Sequence, residues 1–167
     1  MKKEIERNYL EISSITDLND SSTSQEGNVI EPVGATDFQI NKFFYKNVGK
    51  KHNWVDRLTW TEERWIKYTS DKKVKTYVLK RNDDLAGYFE LILHLDKKEV
   101  EIAYLGLLEE YQNKKLGSYL LSSAIKNSFR ESPKRVWVHT CSLDHQNALS
   151  NYIARGMKIF KKETVSI

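Results

Sequence analysis

Between Thr36 and Gly49, apolar side chains recur close to a 3.6-residue period. Phe38, Ile40, Phe43, Phe44 and Val48 share one face, which predicts a helix that Gly49 can end. A second helix is expected from Thr61, with Glu62 and Glu63 in its first turn, where negative charge suits the dipole, and with Trp65, Ile66 and Tyr68 inward. The pattern then becomes strand-like. Lys75–Lys80, Leu85–Leu93 and Val100–Leu107 read as three strands, and the short turns at Asn82-Asp83-Asp84 and Asp96-Lys97-Lys98 make them antiparallel hairpins. An amphipathic helix follows from about Lys114 to Phe129, with Leu116, Leu120, Ala124 and Ile125 in one stripe. Arg135–Thr140 is a dense strand. Asp144 is placed to cap a helix carrying Ala148, Leu149, Tyr152 and Ile153 inward, Gly156 stands beyond its end, and Met157–Lys161 is a last strand.

The first 34 residues are patterned differently. Tyr9–Ile12 has the length of a short strand, Ser13–Asn28 is a polar stretch suited to turns, and Val29–Val33 is a strand that Pro32 confines to an edge. The expected organisation is an N-terminal arm over 1–34, with short strands and a polar loop, and one domain over 35–167. A meander followed by helix, strand, helix and strand predicts an α+β (mixed α/β) sheet with helices on its faces.

Composition narrows the classes. A chain of 167 residues, 40% hydrophobic and 30% charged, is an ordinary globular domain. Its mean hydropathy of −0.62 leaves no membrane span. No apolar segment follows the basic residues Lys2 and Lys3, so a secretory signal is not expected. The single cysteine, Cys141, cannot form an internal disulfide, which points to a reducing, cytoplasmic setting. A net charge of +4 favours an anionic ligand, and a nucleotide cofactor satisfies it. Lys72-Lys73, Lys97-Lys98 and Lys161-Lys162 are scattered pairs rather than a basic stripe, so nucleic acid is not an expected partner.

Candidate chemistry concentrates in Leu105–Ser118, where a strand ends, a loop turns and a helix begins. A helix N-terminus presents unpaired N–H groups to an anion, Gln112 and Asn113 add donors, Lys114 and Lys115 raise the local potential, and Gly117 lets a bulky group approach the first turn. Gln112-Asn113-Lys114-Lys115-Leu116-Gly117 resembles the coenzyme-A pyrophosphate loop of the GNAT superfamily, Gln/Arg-x-x-Gly-x-Gly/Ala, with Lys115 standing where the family usually has its first glycine. The resemblance covers roughly Thr36 to Lys161. It is closest to an uncharacterised bacterial branch that shares Trp-x-Asp-Arg-Leu-x-Trp, here Trp54–Trp60, and the segment His139–His145.

The resemblance implies a central, mostly antiparallel sheet of six to seven strands, splayed between the family's strands 4 and 5, with helices on both faces. It implies acetyl-CoA as co-substrate, no metal, and N-acetyl transfer to a small-molecule or peptide amine, and it is compatible with a homodimer. Backbone groups of Leu105 and Leu107 would pair with the pantetheine arm, Gly106 would suit a bulge there, and Leu116 and Ser118 would complete the phosphate loop. Glu101, eleven positions before Gln112, matches the basic glutamate of the histone-acetyltransferase branch. The alternative for Glu101 is a solvated strand residue. Asn147–Met157 resembles the family's last conserved block, so Asn147 matches a pantetheine contact and Tyr152 the tyrosine that protonates the departing thiolate. A phenol near pKa 10 is a workable, slightly uphill acid for a thiol near 8.5. The alternative for Tyr152 is a core aromatic.

In the aromatic connector, Trp54 and Trp60 are expected to shape the acceptor pocket and Asp56 to meet a cationic amine. His139, Cys141, Asp144 and His145 lie within seven residues but straddle a strand and a helix without a second cluster, so no metal is expected. A second functional class stays open: a catalytically silent domain that binds acyl-CoA as a sensor, supported by Lys115.

Overall fold

The computed structural model describes residues 2–21 and 26–167. Its strands are β1 (Glu4–Ile12), β2 (Asn28–Pro32), β3 (Val74–Arg81), β4 (Asp84–His94), β5 (Glu99–Leu107), β6 (Arg135–Cys141) and β7 (Lys158–Ser166). Its helices are α1 (Phe38–Gly49), α2 (Glu62–Thr69), α3 (Leu116–Phe129) and α4 (Ala148–Ala154). The strands form one seven-stranded sheet in the order β2-β3-β4-β5-β6-β1-β7. All pairings are antiparallel except β5 with β6. This is the expected mixed α+β architecture.

Alternation along β4 separates two cores. Phe89, Leu91 and Leu93 face α3 and join Val100, Ile102, Leu120, Leu121, Val136 and Val138 in the larger core. Tyr88 and Glu90 face the other way: Tyr88 packs with Phe44 and Val48 of α1, and Glu90 bonds Asn41 of the same helix. α1 buries Asn41, Phe44, Tyr45 and Val48, while Phe43, expected inward, is exposed. In α2 Trp65 is buried and Ile66, also expected inward, is exposed, because one short helix can cover the sheet with only a narrow stripe.

The N-terminal residues are the largest departure from expectation. β1 is longer than Tyr9–Ile12 and lies inside the sheet between β6 and β7, with Leu10 and Ile12 in the main core. Its other face carries Arg7, Tyr9 and Glu11, and this polar alternation disguises it as an arm. β2 does lie at a sheet edge. Of the polar stretch, residues 22–25 lie outside the described residues. Asn19 binds the Arg155 carbonyl at 2.9 Å, and the Ser21 N–H donates to Ser122 Oγ at 2.9 Å, so this segment runs along α3 and the end of α4. Gly156 has φ +107°, and an added Cβ would meet the Asp17 carbonyl oxygen at 2.2 Å; the close crossing requires glycine.

The sheet forks. β5 and β6 pair in parallel only over Glu99–Glu101 and Arg135–Trp137, and then diverge. A bulge contributes to the divergence. Glu90 pairs with Tyr104 and Leu91 with Ile102, so Ala103 is an extra residue that bends β5 and reverses its parity. Glu101, Tyr104 and Gly106 consequently face α1, while Leu105 and Leu107 pack toward α3. The bulge was expected at Gly106 and lies three residues earlier. Gly106 has another role: a Cβ there would sit 2.3 Å from Val48 Cγ1, so its absence lets α1 seat on β5.

Candidate active site

The fork opens into a cavity of about 730 Å3 lined by both diverging strands, the loop before α3, the residues around the start of α4 and the connector after α1. A cavity of this size accommodates a large cofactor arm together with a second ligand.

One wall is β5. The Leu108 N–H donates to the Ala86 carbonyl at 2.8 Å, toward β4, so by strand alternation the N–H groups of Leu107 and Leu105 point into the fork. Beyond Glu101 no β6 residue pairs with them. This is a sheet edge inside a cleft, ready to accept an extended ligand as an added strand.

At the mouth stands α3. A short 3-10 turn over Glu109–Tyr111 leads into a loop in which Asn113 and Lys115 both have φ 62°. α3 begins at Leu116 rather than Lys114, because Lys115, its left-handed N-cap, ends the turn and offers no side-chain cap. The first N–H groups of α3 therefore receive no cap from the Lys115 side chain and carry the positive end of the helix dipole. Gln112, Asn113, Lys115, Gly117 and Ser118 all line the cavity. At Gly117 an added Cβ would lie 3.8 Å from Asn151 Nδ2 and 4.0 Å from Leu107 Cδ1, so nothing in the chain itself crowds that position and the space stays open to a ligand. Ser118 is partly committed, donating to the Lys115 carbonyl at 3.3 Å and accepting from Ser21 at 3.1 Å. Two residues of the expected loop lie elsewhere: Leu116 is fully buried in the core, and Lys114 sits outside the cavity with its Nζ 5.8 Å from the Tyr111 ring.

The left-handed backbone at Lys115 explains why a glycine suits this position, since a side chain there costs about 1 kcal/mol. Lys115→Gly is expected to raise the thermal midpoint by roughly 1 to 3 °C, the net of relieved strain and a more flexible unfolded chain. Calorimetric melting without ligand checks this, and a lowered midpoint would show that Lys115 makes a stabilising contact that outweighs its backbone.

Glu101 lies at the apex of the fork, the last β5 residue paired with β6, opposite Trp137. Its carboxylate is mostly buried and accepts from His94 Nε2 at 2.9 Å, a ring that stacks on Trp137 at 5.8 Å. Across the cavity, Tyr152 is buried but lines the cleft. Burial, helped by the charge of Asp144, pushes its pKa well above the ordinary tyrosine value and keeps it protonated. Asn147 lines the cavity as the N-cap of α4. Asp144, expected in that role, instead accepts from the Thr140 hydroxyl and the Cys141 N–H, closing the turn after β6. Burial raises the Cys141 thiol, so it rests as a thiol rather than a nucleophilic thiolate.

The connector forms the remaining wall. Trp54 and Asp56 line the cavity, with the Trp54 ring 5.0 Å from Tyr104. Trp60 does not: it packs on Trp65 and Tyr68, away from the cleft. It helps enclose Arg57, whose guanidinium lies between Tyr68 and Tyr104, with Cζ 4.3 and 4.2 Å from the ring centroids. Arg57 Nη1 bonds Glu90 Oε1 at 3.0 Å, and Glu90 also accepts from Tyr68 at 2.6 Å and from Asn41 at 3.0 Å. Burial opposes the charge on Arg57, but Glu90 outweighs it and holds the guanidinium protonated. Burial likewise pushes Tyr104 up to about 12 against the pull of Arg57. Sequence reasoning missed this network. Two signals were present: a lone glutamate inside the apolar run Leu85–Leu93, and an arginine three residues from a tryptophan on each side.

A mixed sheet forked between two parallel strands, with a helix N-terminus at the mouth of the fork, is the architecture of an N-acetyltransferase. Residues 38–157 match the Acetyltransferase (GNAT) family, and the chain belongs to that family, whose members use acetyl-CoA. Solved structures agree on the fold. A GCN5-related N-acetyltransferase from Sphaerobacter thermophilus aligns with 99% of this chain and 52% of its own at TM-score 0.75 and 14% identity. One from Kribbella flavida covers 97% of this chain and 58% of its own at TM-score 0.70 and 14% identity. An aminoglycoside acetyltransferase from an uncultured soil metagenome covers 78% and 88% at TM-score 0.64 and 13% identity. This chain thus spans only about half to three fifths of the length of the first two. No curated protein matches the sequence. Among the described residues, no group of three or more His, Cys, Asp or Glu side chains is arranged to hold a metal, and no helix is long and apolar enough to cross a membrane.

Proposed function

We propose that this protein transfers the acetyl group of acetyl-CoA to a primary amine by direct attack within a ternary complex. The observation that carries the reading is the fork: an unpartnered β5 edge running from Glu101 toward an uncapped helix N-terminus within one cavity. The α3 N–H groups, Gln112, Asn113 and Lys115 hold the pyrophosphate. The Leu105 and Leu107 backbone holds the pantetheine arm, with Asn147 on the opposite side.

The chemistry follows from the groups around this line. An amine with a pKa around 10 arrives protonated and must lose a proton before it can attack. Glu101, directly or through one water, takes that proton, and the neutral nitrogen attacks the thioester carbonyl. The oxygen of the tetrahedral adduct is stabilised by the Leu107 N–H, fixed in place by the ladder that β5 makes with β4. When the carbon–sulfur bond breaks, Tyr152 hydrogen-bonds to the departing sulfur and passes it a proton. The second proton that the attacking nitrogen must lose returns through water to Tyr152, so the products are a neutral amide and coenzyme A as thiol. Trp54 and Asp56 border the acceptor.

Titration calorimetry with acetyl-CoA, followed by coenzyme-A release across an amine panel, tests the reading. Glu101→Gln is expected to lower kcat/KM for the acceptor by about 10²-fold or more at neutral pH, with cofactor binding kept. Cofactor binding with no release on any amine favours the silent acyl-CoA sensor, for which the strained Lys115 loop is the supporting observation. Absence of acetyl-CoA binding removes both readings.

A further inference from the structure

The cavity wall facing α1 is unusual in its charges. Among the described residues six charged side chains line the cavity, and four have an evident role. Lys115 belongs to the anion loop, Asp144 closes the turn after β6, Glu101 is bonded to His94, and Arg7 is paired with Glu163 at 3.3 Å. Asp56 and Arg57 remain, adjacent in sequence and on the same wall.

Arg57 is the informative one. Its side chain is only 8% exposed, yet it borders the cavity. A guanidinium has five N–H donors, and here Nη1 bonds Glu90 while the Tyr68 hydroxyl lies close enough to the guanidinium to interact with it, which leaves donors to spare. Among the described residues no geometric hydrogen bond is formed by Nε or Nη2, and neither is a fully enclosed atom. The counter-charge is already saturated, because Glu90 accepts from Arg57, Tyr68 and Asn41 together. Flanking rings of Tyr68 and Tyr104 fix the plane of the guanidinium, so its unused edge is held rigid in a place of low polarity. A pre-oriented, water-poor guanidinium edge is suited to a carboxylate.

Its position relative to Glu101 sets the size of the ligand. Arg57 lies over Tyr104, three residues from Glu101, and the bulge at Ala103 puts both residues on the α1 side of β5. At about 3.3 Å per residue their Cα atoms lie within about 10 Å, and side chains close the gap from both ends. We propose that the acceptor is an amino-acid-type zwitterion, with its amine toward Glu101 and Asp56 and its carboxylate on the open edge of Arg57. This rests on the acetyl-transfer reading above and names its acceptor class.

The test compares the common α-amino acids, and short peptides with a terminal carboxylate, with their C-terminal amides. Binding is measured by titration with coenzyme A present, and coenzyme-A release from acetyl-CoA is measured in parallel. The acid is expected to bind about tenfold or more tightly than its amide, the contribution of a charge-assisted pair. Arg57→Lys, which keeps the charge beside Glu90 but loses the fork, is expected to shrink that ratio to about threefold or less while acetyl-CoA binding stays intact. If Arg57→Lys fails to fold, the ratio in the unmodified protein decides alone. Equal binding of acid and amide, or binding of neither, overturns the carboxylate site. A marked preference for acids without coenzyme-A release supports the site and removes acetyl transfer. Release on amides and acids alike removes the site and leaves acetyl transfer standing.

Discussion

Glu90→Gln is expected to destabilise the fold by about 3 to 5 kcal/mol, a fall in melting temperature of roughly 6 to 20 °C. Glutamine has the same shape, but its single amide oxygen can accept on one side only, from Tyr68 or from Asn41, so the volume is kept while one of these bonds is also lost. What disappears is the carboxylate paired with a guanidinium that is almost wholly enclosed. Ion pairs with both side chains substantially exposed, such as Lys80–Glu31 and Lys75–Glu131, sit in water and contribute little. Glu31→Gln is the matched control, expected to shift the melt by less than about 0.5 kcal/mol. Thermal unfolding followed by circular dichroism measures both. A Glu90→Gln shift no larger than the control would mean that the aromatic rings alone satisfy Arg57. The consequence reaches the cavity, since Arg57 and Tyr104 form its wall, and a loosened network would widen the acceptor side before it affected the α3 side.

Tyr152→Phe is expected to lower kcat at least about tenfold, roughly 1.4 kcal/mol of barrier, with the KM for acetyl-CoA little changed. The ring supports the cleft in both forms, so binding persists, and only the hydroxyl is lost. Burial, then Asp144, holds that hydroxyl in its protonated form, which has two consequences. The donor is present at every pH at which the protein is stable, so its ionisation adds no alkaline limb to the rate profile. It is also a weaker acid than free tyrosine, so stabilisation of the departing sulfur by a hydrogen bond carries more of the effect than complete proton transfer. Steady-state kinetics with one good acceptor measures the change. An unchanged kcat would return Tyr152 to the role of a core aromatic.

Much of this was legible in the chain. The meander from Val74 to Leu107 was visible because alternation and short polar turns are local signals, and the β5–loop–α3 segment because a strand, a turn and a helix start follow one another within fifteen residues. Elements whose exposed face is polar were harder. β1 alternates Arg7, Tyr9 and Glu11 on a partly open face against Leu10 and Ile12 beneath, and only its partners β6 and β7 show it to be an interior strand. The cap of α4 was misplaced because Asp144 finds a closer partner in the turn after β6, a competition that spacing cannot reveal.

The same division runs through the site. By itself the sequence determined the anion-loop candidate: Gln112, Asn113, Lys115 and Gly117 fall within six residues, and a helix N-terminus offers unpaired N–H groups wherever it is placed. Beyond Trp54 and Asp56, tertiary structure alone decided the walls of the cleft. The parity reversal at Ala103 turns Tyr104 toward α1, a chain crossing brings Arg57 from the connector onto Glu90 of β4, and the divergence of β5 from β6 leaves Leu105 and Leu107 with a free edge. Each depends on contacts between residues far apart in the chain, and a one-residue bulge alters which side chains share a face without leaving a mark on the local pattern.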